Sequence, residues 1–274
     1  MTPARPPIAA GALALQQRVV ILLAAAVLVA GLYAYLAASH PGATLLARSA
    51  APLHHAGHGV PAHPHGASVL AAFGMWMAMM VAMMLPPVLP WIWFFAAATR
   101  PTAPGLRLWG RTLLFASGYF ALWGFYSAAA AACQSALAAR ALLHPTALKV
   151  APTAGAVLFL VAGVVQLTSL KSACLKHCRS PLGYFLTRWR DGPRGAFSMG
   201  FRHGVYCLGC CWALMALSFA LGTMNLAWMA AVSLLLCIEK IAPGGERLSR
   251  AFGLLFLVWA AAVLAMGTGL VPAL

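Results

Sequence analysis

Two short stretches of this chain bring thiols and imidazoles together at spacings suited to soft-metal chemistry. One is Cys174-Leu175-Lys176-His177-Cys178, and the other runs His203-Gly204-Val205-Tyr206-Cys207-Leu208-Gly209-Cys210-Cys211. Thiolate sulfur is a soft ligand and imidazole nitrogen a borderline one. Cys174, His177, Cys178, His203, Cys207, Cys210 and Cys211 are therefore candidate ligands for one shared ion. In a helix that starts near Met199, residues Met199, His203, Cys207 and Cys211 fall at i, i+4 spacing on one stripe, with Cys210 beside it. A buried cysteine is often only a small hydrophobe. That accounts for the isolated Cys133 and Cys237, but poorly for five cysteines and two histidines in two tight clusters.

A third feature is methionine. Six of the chain's 12 methionines lie within Met75–Met84. On a helix Met75, Met79 and Met83 share one stripe, and Met80 and Met84 the next. Thioether sulfur suits Cu(I) and is a poor ligand for Mg or Ca. Methionine also fills irregular cores, but this density favours a stripe that faces a metal. Pro86, Pro87 and Pro90 follow, and are expected to break or kink the helix partway across a membrane. Glu239 is a candidate ligand, a partner orienting His203, or simply the counter-ion of its neighbour Lys240. Six of the nine histidines (His40, His54, His55, His58, His63 and His65) fall in a Pro- and Gly-containing stretch at 39–68. That stretch reads equally as a low-affinity metal collector and as a polar linker.

The elements that must position these groups are membrane helices. The 274 residues are 63% hydrophobic with a mean hydropathy of +0.87, which marks an integral membrane protein. Apolar runs of about 20 residues, the length that crosses a bilayer, occur at roughly 19–38, 69–97, 108–133, 151–170, 204–222, 224–240 and 250–270. The expected fold is all-α, a polytopic membrane helix bundle of about seven spans. The first run resembles a signal peptide but is long enough to read as a retained helix. Residues 1–68 form an N-terminal tail, the first span and the external His-rich loop. Residues 69–274 form a six-helix membrane domain carrying the Met stripe and the Cys/His clusters. The sixth run is short, so Glu239 and Lys240 sit at the interface or slightly inside it.

Charge orients the bundle. Of 18 Lys and Arg, all but Arg48, Arg140 and Lys149 fall in segments that are cytoplasmic if the N-terminus is inside. The positive-inside bias thus predicts the N-terminus in and the C-terminus out. It also explains the formal charge of +15 without nucleic acid. Six of the seven cysteines then lie in the cytoplasmic half, where thiols stay reduced, so metal or redox chemistry is favoured over a disulfide framework. The basic stretch 171–202 reads as an amphipathic segment on the inner leaflet, with Arg179, Arg188, Arg190, Arg194 and Arg202 as leaflet anchors. Gln166 is polar within an apolar run and needs a partner. The chain has three carboxylate side chains, Asp191, Glu239 and Glu246, and no phosphate-binding loop. That scarcity excludes paired-carboxylate hydrolysis, a hard-cation cage and ATP use by this chain alone.

Several of these motifs together resemble one family. They are the run Met75-Trp76-Met77-Ala78-Met79-Met80-Val81-Ala82-Met83-Met84-Leu85-Pro86, then Leu170-Lys171 with Cys174 and His177-Cys178-Arg179-Ser180-Pro181-Leu182. Gly200 with His203-Gly204, Tyr206-Cys207-Leu208-Gly209-Cys210-Cys211-Trp212, Met224-Asn225 and Glu239-Lys240 with Pro243 complete the set. Over about residues 70–260 the chain is similar to the DUF2182 family of metal-binding integral membrane proteins, many of them bacterial. The resemblance implies a polytopic membrane fold and a metal site, and supplies neither substrate nor reaction.

The expected function is to bind, and to move or handle, a soft metal. Cu(I) comes first because of the methionines, Zn(II) second, and a mercuric ion third because of the vicinal Cys210-Cys211. External histidines would collect the ion, thioethers would pass it and the Cys/His cluster at the inner face would accept it. No enzymatic activity is expected. The runner-up is a membrane thiol oxidoreductase using Cys207-x-x-Cys210, and the third reading is a non-transporting sensor or metalloenzyme assembly factor. Expected partners are the lipid bilayer, the metal ion and either accessory metal-binding proteins or further copies of the chain. The expected location is the bacterial inner membrane.

Overall fold

The computed structural model describes residues 65–143, 149–223, 225–242 and 244–267. The tail, the first expected span and His40, His54, His55, His58 and His63 lie outside the described residues, as do Met224 and Pro243. What is described is all-helical. The helices are α1 (His65–Thr99), α2 (Leu106–Ala139), α3 (Pro152–Leu167), α4 (Ser169–Cys178), α5 (Pro181–Arg188), α6 (Gly192–Ala216), α7 (Ser218–Leu221), α8 (Leu226–Ile241) and α9 (Gly245–Gly267). One isolated antiparallel bridge, Leu143 to Val150, is the extended pairing among the described residues.

Four helical stretches are long and apolar enough to cross a membrane: Val69–Thr99, Leu106–Ala139, Gly192–Leu221 and Gly245–Met266. The pair α3 and α4 makes a fifth if its two parts, bent by 68° at their junction, cross together. Helix α8 has 16 residues, about 24 Å at the α-helical rise, short of the roughly 30 Å hydrocarbon core. Exposed Leu113, Phe125, Leu254, Leu255, Val258 and Trp259 give α2 and α9 the apolar outer surface of membrane helices.

Glycines bring the central helices together. A Cβ added at Gly200 of α6 would fall on the Phe115 carbonyl of α2, and one at Gly118 of α2 on the Phe197 carbonyl of α6. One turn on, Gly204 would meet the Tyr119 carbonyl at 3.2 Å. Such small-residue contacts let helix backbones approach in an apolar medium, where packing rather than water exclusion drives association. Gly163 of α3 and Gly253 of α9 form a similar crossing, with a Gly253 Cβ falling 3.1 Å from the Gly163 carbonyl.

Helix α1 runs as one helix through Pro86, Pro87 and Pro90, where a break or a kink was expected; the break is not made. Proline removes the N–H that would bond the carbonyl four residues earlier. For Pro87 that carbonyl belongs to Met83, and it accepts a hydrogen bond from Ser233 Oγ of α8 at 3.3 Å. A neighbouring helix thus restores the lost partner. The break falls instead at Thr168, which is extended (ψ 149°) and caps α4 by accepting from the Lys171 N–H.

Candidate metal centre

The bend at Thr168 turns α4 inward, so that Lys171, Leu175 and Cys178 share its buried face. Its C-terminal carbonyl, that of Cys178, accepts from the Trp91 indole of α1 at 2.9 Å. This fixes Cys178 against α6, where Met199, His203, Cys207, Cys210 and Cys211 are all buried. The two sequence clusters therefore meet. Cys178 Sγ lies 3.9 Å from Cys210 Sγ, and Cys207 Sγ lies 4.0 Å from Cys211 Sγ. The Cys210 and Cys211 thiols donate to the Cys207 carbonyl at 3.1 and 2.7 Å. Cys174 stands at the half-buried rim, its sulfur 2.9 Å from where a Cβ on Gly209 would lie. A side chain at Gly209 would push it away.

These separations suit metal ligation. Two sulfurs each about 2.3 Å from one ion sit roughly 3.8 Å apart at a tetrahedral angle and about 4.0 Å apart at a trigonal one. Cys207 also contacts the Cys178 and Cys210 sulfurs, although among the described residues no three His, Cys, Asp or Glu side chains converge as a closed metal site. All seven cysteines are free thiols.

Aromatic rings hold the imidazoles. His203 is stacked between Trp91, with ring centroids 3.7 Å apart, and Tyr119, at 5.4 Å. His177 stacks on Tyr206 at 3.7 Å. Each imidazole keeps one buried nitrogen without a hydrogen-bond partner, Nδ1 of His203 and Nε2 of His177. Buried polar atoms are rarely left so, and of the two imidazoles it is His203 that neighbours Cys207, where its free nitrogen could supply an additional ligand.

Two groups that the sequence reading did not assign to the centre touch Cys207. The Tyr119 hydroxyl lies 3.0 Å from its sulfur, and Lys240 Nζ donates to the same sulfur at 3.0 Å. Lys240 places a positive charge against the thiols inside the bundle. The available signal was its position in a short apolar span, where an ionisable residue points to a functional site. Tyr119 had no signal in its own surroundings; it reaches Cys207 because Gly118, Gly200 and Gly204 draw α2 onto α6.

Glu239 stands elsewhere. Its carboxylate accepts from Lys171 Nζ at 2.8 Å and from Gln166 Nε2 at 3.0 Å, and Ser249 donates to Gln166 Oε1 at 3.2 Å. Its salt-bridge partner is thus Lys171, not Lys240, because consecutive helical residues point about 100° apart. Arg179 donates to the carbonyls of Glu239 and Ala242 at 2.6 Å. It caps the C-terminus of α8 rather than reaching outward as a leaflet anchor. Together these contacts tie α3, α4, α8 and α9 into one clasp beside the thiols.

Met79, Met80, Met83 and Met84 are fully buried, and Met75 packs against the same core from a half-buried position. Met80 and Met84 lie on the face of α1 that carries Trp91, eleven and seven residues before it. That places them about 16 and 10 Å along the helix from the indole that touches His203.

The profile of the PpoB2 family, described as copper chaperone, matches residues 73–263. That stretch contains every candidate ligand from Met75 to Glu239. It is a copper-associated family, found under a different name from the DUF2182 family that the motifs resemble. No curated protein and no solved structure matches the chain.

Proposed function

The chain belongs to the PpoB2 copper-chaperone family, and from that membership we propose that it holds Cu(I) on buried thiols within the membrane and hands it on. The observation that carries this reading is the meeting of Cys178 with Cys210 across two helices at 3.9 Å, beside Cys207 and Cys211 at 4.0 Å. Soft thiolates select Cu(I) over the hard cations, and thioethers add a preference for copper over zinc. Cys207, Cys210, Cys211 and Cys178 are the strong ligands in this account. His203, His177 and Cys174 serve as alternative ligands at its edge. Met75, Met79, Met80, Met83 and Met84 are weak stations along α1, so an ion moves from thioether to thiolate, from weaker to stronger sulfur. Zn(II) can use the same thiolates but gains nothing from the methionines.

Glu239 supports the centre from outside the ligand set, since both its oxygens already accept hydrogen bonds. The topology that goes with this function is seven spans in a bacterial inner membrane, N-terminus in and C-terminus out, so that the thiols face the cytoplasm. It rests on the distribution of Lys and Arg and on the DUF2182 resemblance. Accessory metal-binding proteins or a second copy of the chain would take the ion from the inner face. Binding and release need no bond-breaking chemistry, and the protein acts as a carrier without catalytic turnover.

Alkylation of the thiols tests this reading against the thiol-oxidoreductase alternative. Metal-stripped protein, opened by detergent, should label at Cys178, Cys207, Cys210 and Cys211 without prior reduction, and Cu(I) should protect all four. Labelling that requires a disulfide reductant would favour the redox pair Cys207/Cys210 instead.

A further inference from the structure

We propose that Met80, Met215 and Met229 form a second metal site, an all-thioether station for a soft monovalent ion one helical turn beyond Cys211. This deepens the copper reading of the thiols and rests on it.

Met215 extends the buried stripe Met199, His203, Cys207 and Cys211 of α6 by one more turn. Ring contacts fix how α1 lies against that stripe. Trp76 meets Phe219 with centroids 4.9 Å apart, and Trp91 meets His203 at 3.7 Å. Phe219 belongs to the same apolar span as α6, Gly192–Leu221. The two helices run in opposite directions. Fifteen residues separate Trp76 from Trp91 and sixteen separate His203 from Phe219, so the register holds between the two contacts. Four residues from the Trp76–Phe219 contact, Met80 is level with Met215. Four further on, Met84 is level with Cys211.

Helix α8 adds the third sulfur. Ser233 Oγ donates to the Met83 carbonyl, and Lys240 Nζ to Cys207 Sγ. The face of α8 that carries both residues therefore looks onto α1 and α6. Met229 lies on that face one turn before Ser233, at the depth of Met80 and Met215. The three side chains are buried. Trp123 of α2 borders the same region. Tyr119 touches Cys207 and the Tyr126 hydroxyl donates to the Trp212 carbonyl at 3.2 Å, so Trp123 between them is level with Cys211. Its buried Nε1 has no hydrogen-bond partner. No polar contact holds the indole there, and its ring is open to a cation.

Core filling asks only for volume, which Leu supplies as well as Met. Thioethers from three helices at one depth, beside thiols, supply soft ligands for one ion. All three sulfurs are neutral, so they leave the charge of the ion uncompensated. Burying a single charge is then costly and a double charge more so. The station thus takes a monovalent ion weakly and yields it to the thiols, and binding moves no proton and breaks no bond.

The test titrates Cu(I) into the full chain in detergent against a competing chelator. Wild type should hold one tight ion and one weaker ion. Met215→Leu and Met229→Leu should each lower the weaker affinity by about tenfold or more and leave the tight one within about threefold. The control is Met77→Leu, also on α1, whose sulfur accepts from Ser127 Oγ at 3.9 Å; it should change neither. Cys207→Ser should lose the tight ion and keep the weaker one. Elution volume and helical content check folding, and Cys207→Ser carries the test if the methionine variants misfold. A single ion in wild type overturns the proposal, as does loss of both ions in folded Cys207→Ser. A weaker ion that survives in folded Met215→Leu and Met229→Leu, or that Met77→Leu also removes, overturns it too. In all these cases tight copper on the thiols stands. If wild type holds no tight Cu(I), with Cys207→Ser indistinguishable from it, the copper reading itself fails and this inference with it.

Discussion

The Lys171–Glu239 pair offers a quantitative test of how the centre is held. Both side chains are 1% exposed and 2.8 Å apart. Removing one partner of such a pair leaves a buried charge uncompensated, at a cost of about 3–5 kcal/mol. Glu239→Gln should fall near the lower end, because the Gln oxygen can still accept from Lys171, although its NH2 then faces the Gln166 donor. Lys171→Met leaves the carboxylate with the Gln166 donor alone and should fall higher. At roughly 2–4 °C per kcal/mol for a chain of this size, the single variants should lower the unfolding midpoint by roughly 6–20 °C. The double variant leaves no charge behind. Replacing both partners is often neutral or stabilising, so its midpoint should return close to wild type. The assay is thermal unfolding in detergent, followed by circular dichroism across the double-mutant cycle. Single effects that simply add, within about 0.5 kcal/mol, would refute the clasp. Copper binding separates structure from ligation. A double variant with a restored midpoint should keep its copper; loss of copper there would return Glu239 to the ligand set.

Two other perturbations read other parts of the account. Replacing Met79, Met80, Met83 and Met84 together with Leu changes volume little, at under about 1.5 kcal/mol per site. It should leave tight Cu(I) binding intact while slowing copper uptake into cells or vesicles; uptake at the wild-type rate would return the stripe to core packing. Gly200→Ala places a methyl on the Phe115 carbonyl, so α2 and α6 must part. It should lower stability by about 1–3 kcal/mol and weaken copper binding by drawing Tyr119 off Cys207, and an unchanged midpoint would contradict the close crossing.

Much of this centre could be read from residue type and spacing. Cys207 and Cys211 are one helical turn apart, so their meeting followed from local geometry alone. Gln166 had to find a partner because an amide inside an apolar helix must, and Glu239 and Ser249 supply it. Long-range contacts were less legible. Residues 207 and 178 meet because Thr168 bends the chain, and a single threonine in an apolar run gives no measure of a 68° turn. Lys240 and Glu239 are neighbours in sequence and look like a pair, yet the helix points them to different sides, one to the thiols and one to Lys171. Pro86, Pro87 and Pro90 announced a break or a kink, and α1 continues through them as one helix, the carbonyl freed by Pro87 finding Ser233 on a helix some 150 positions away. Propensity describes the isolated segment, whereas such repairs belong to tertiary structure.

The central claim is that copper sits on thiols contributed by both α4 and α6. The most direct measurement is the metal content of purified, copper-loaded protein with its sulfur coordination read at the copper absorption edge, for wild type beside Cys178→Ser and Cys207→Ser. Wild type should retain copper in sulfur coordination, and each substitution should abolish tight binding although the two residues lie on different helices. Copper retained by both variants, or a wild-type protein that holds zinc and refuses Cu(I), would contradict the account.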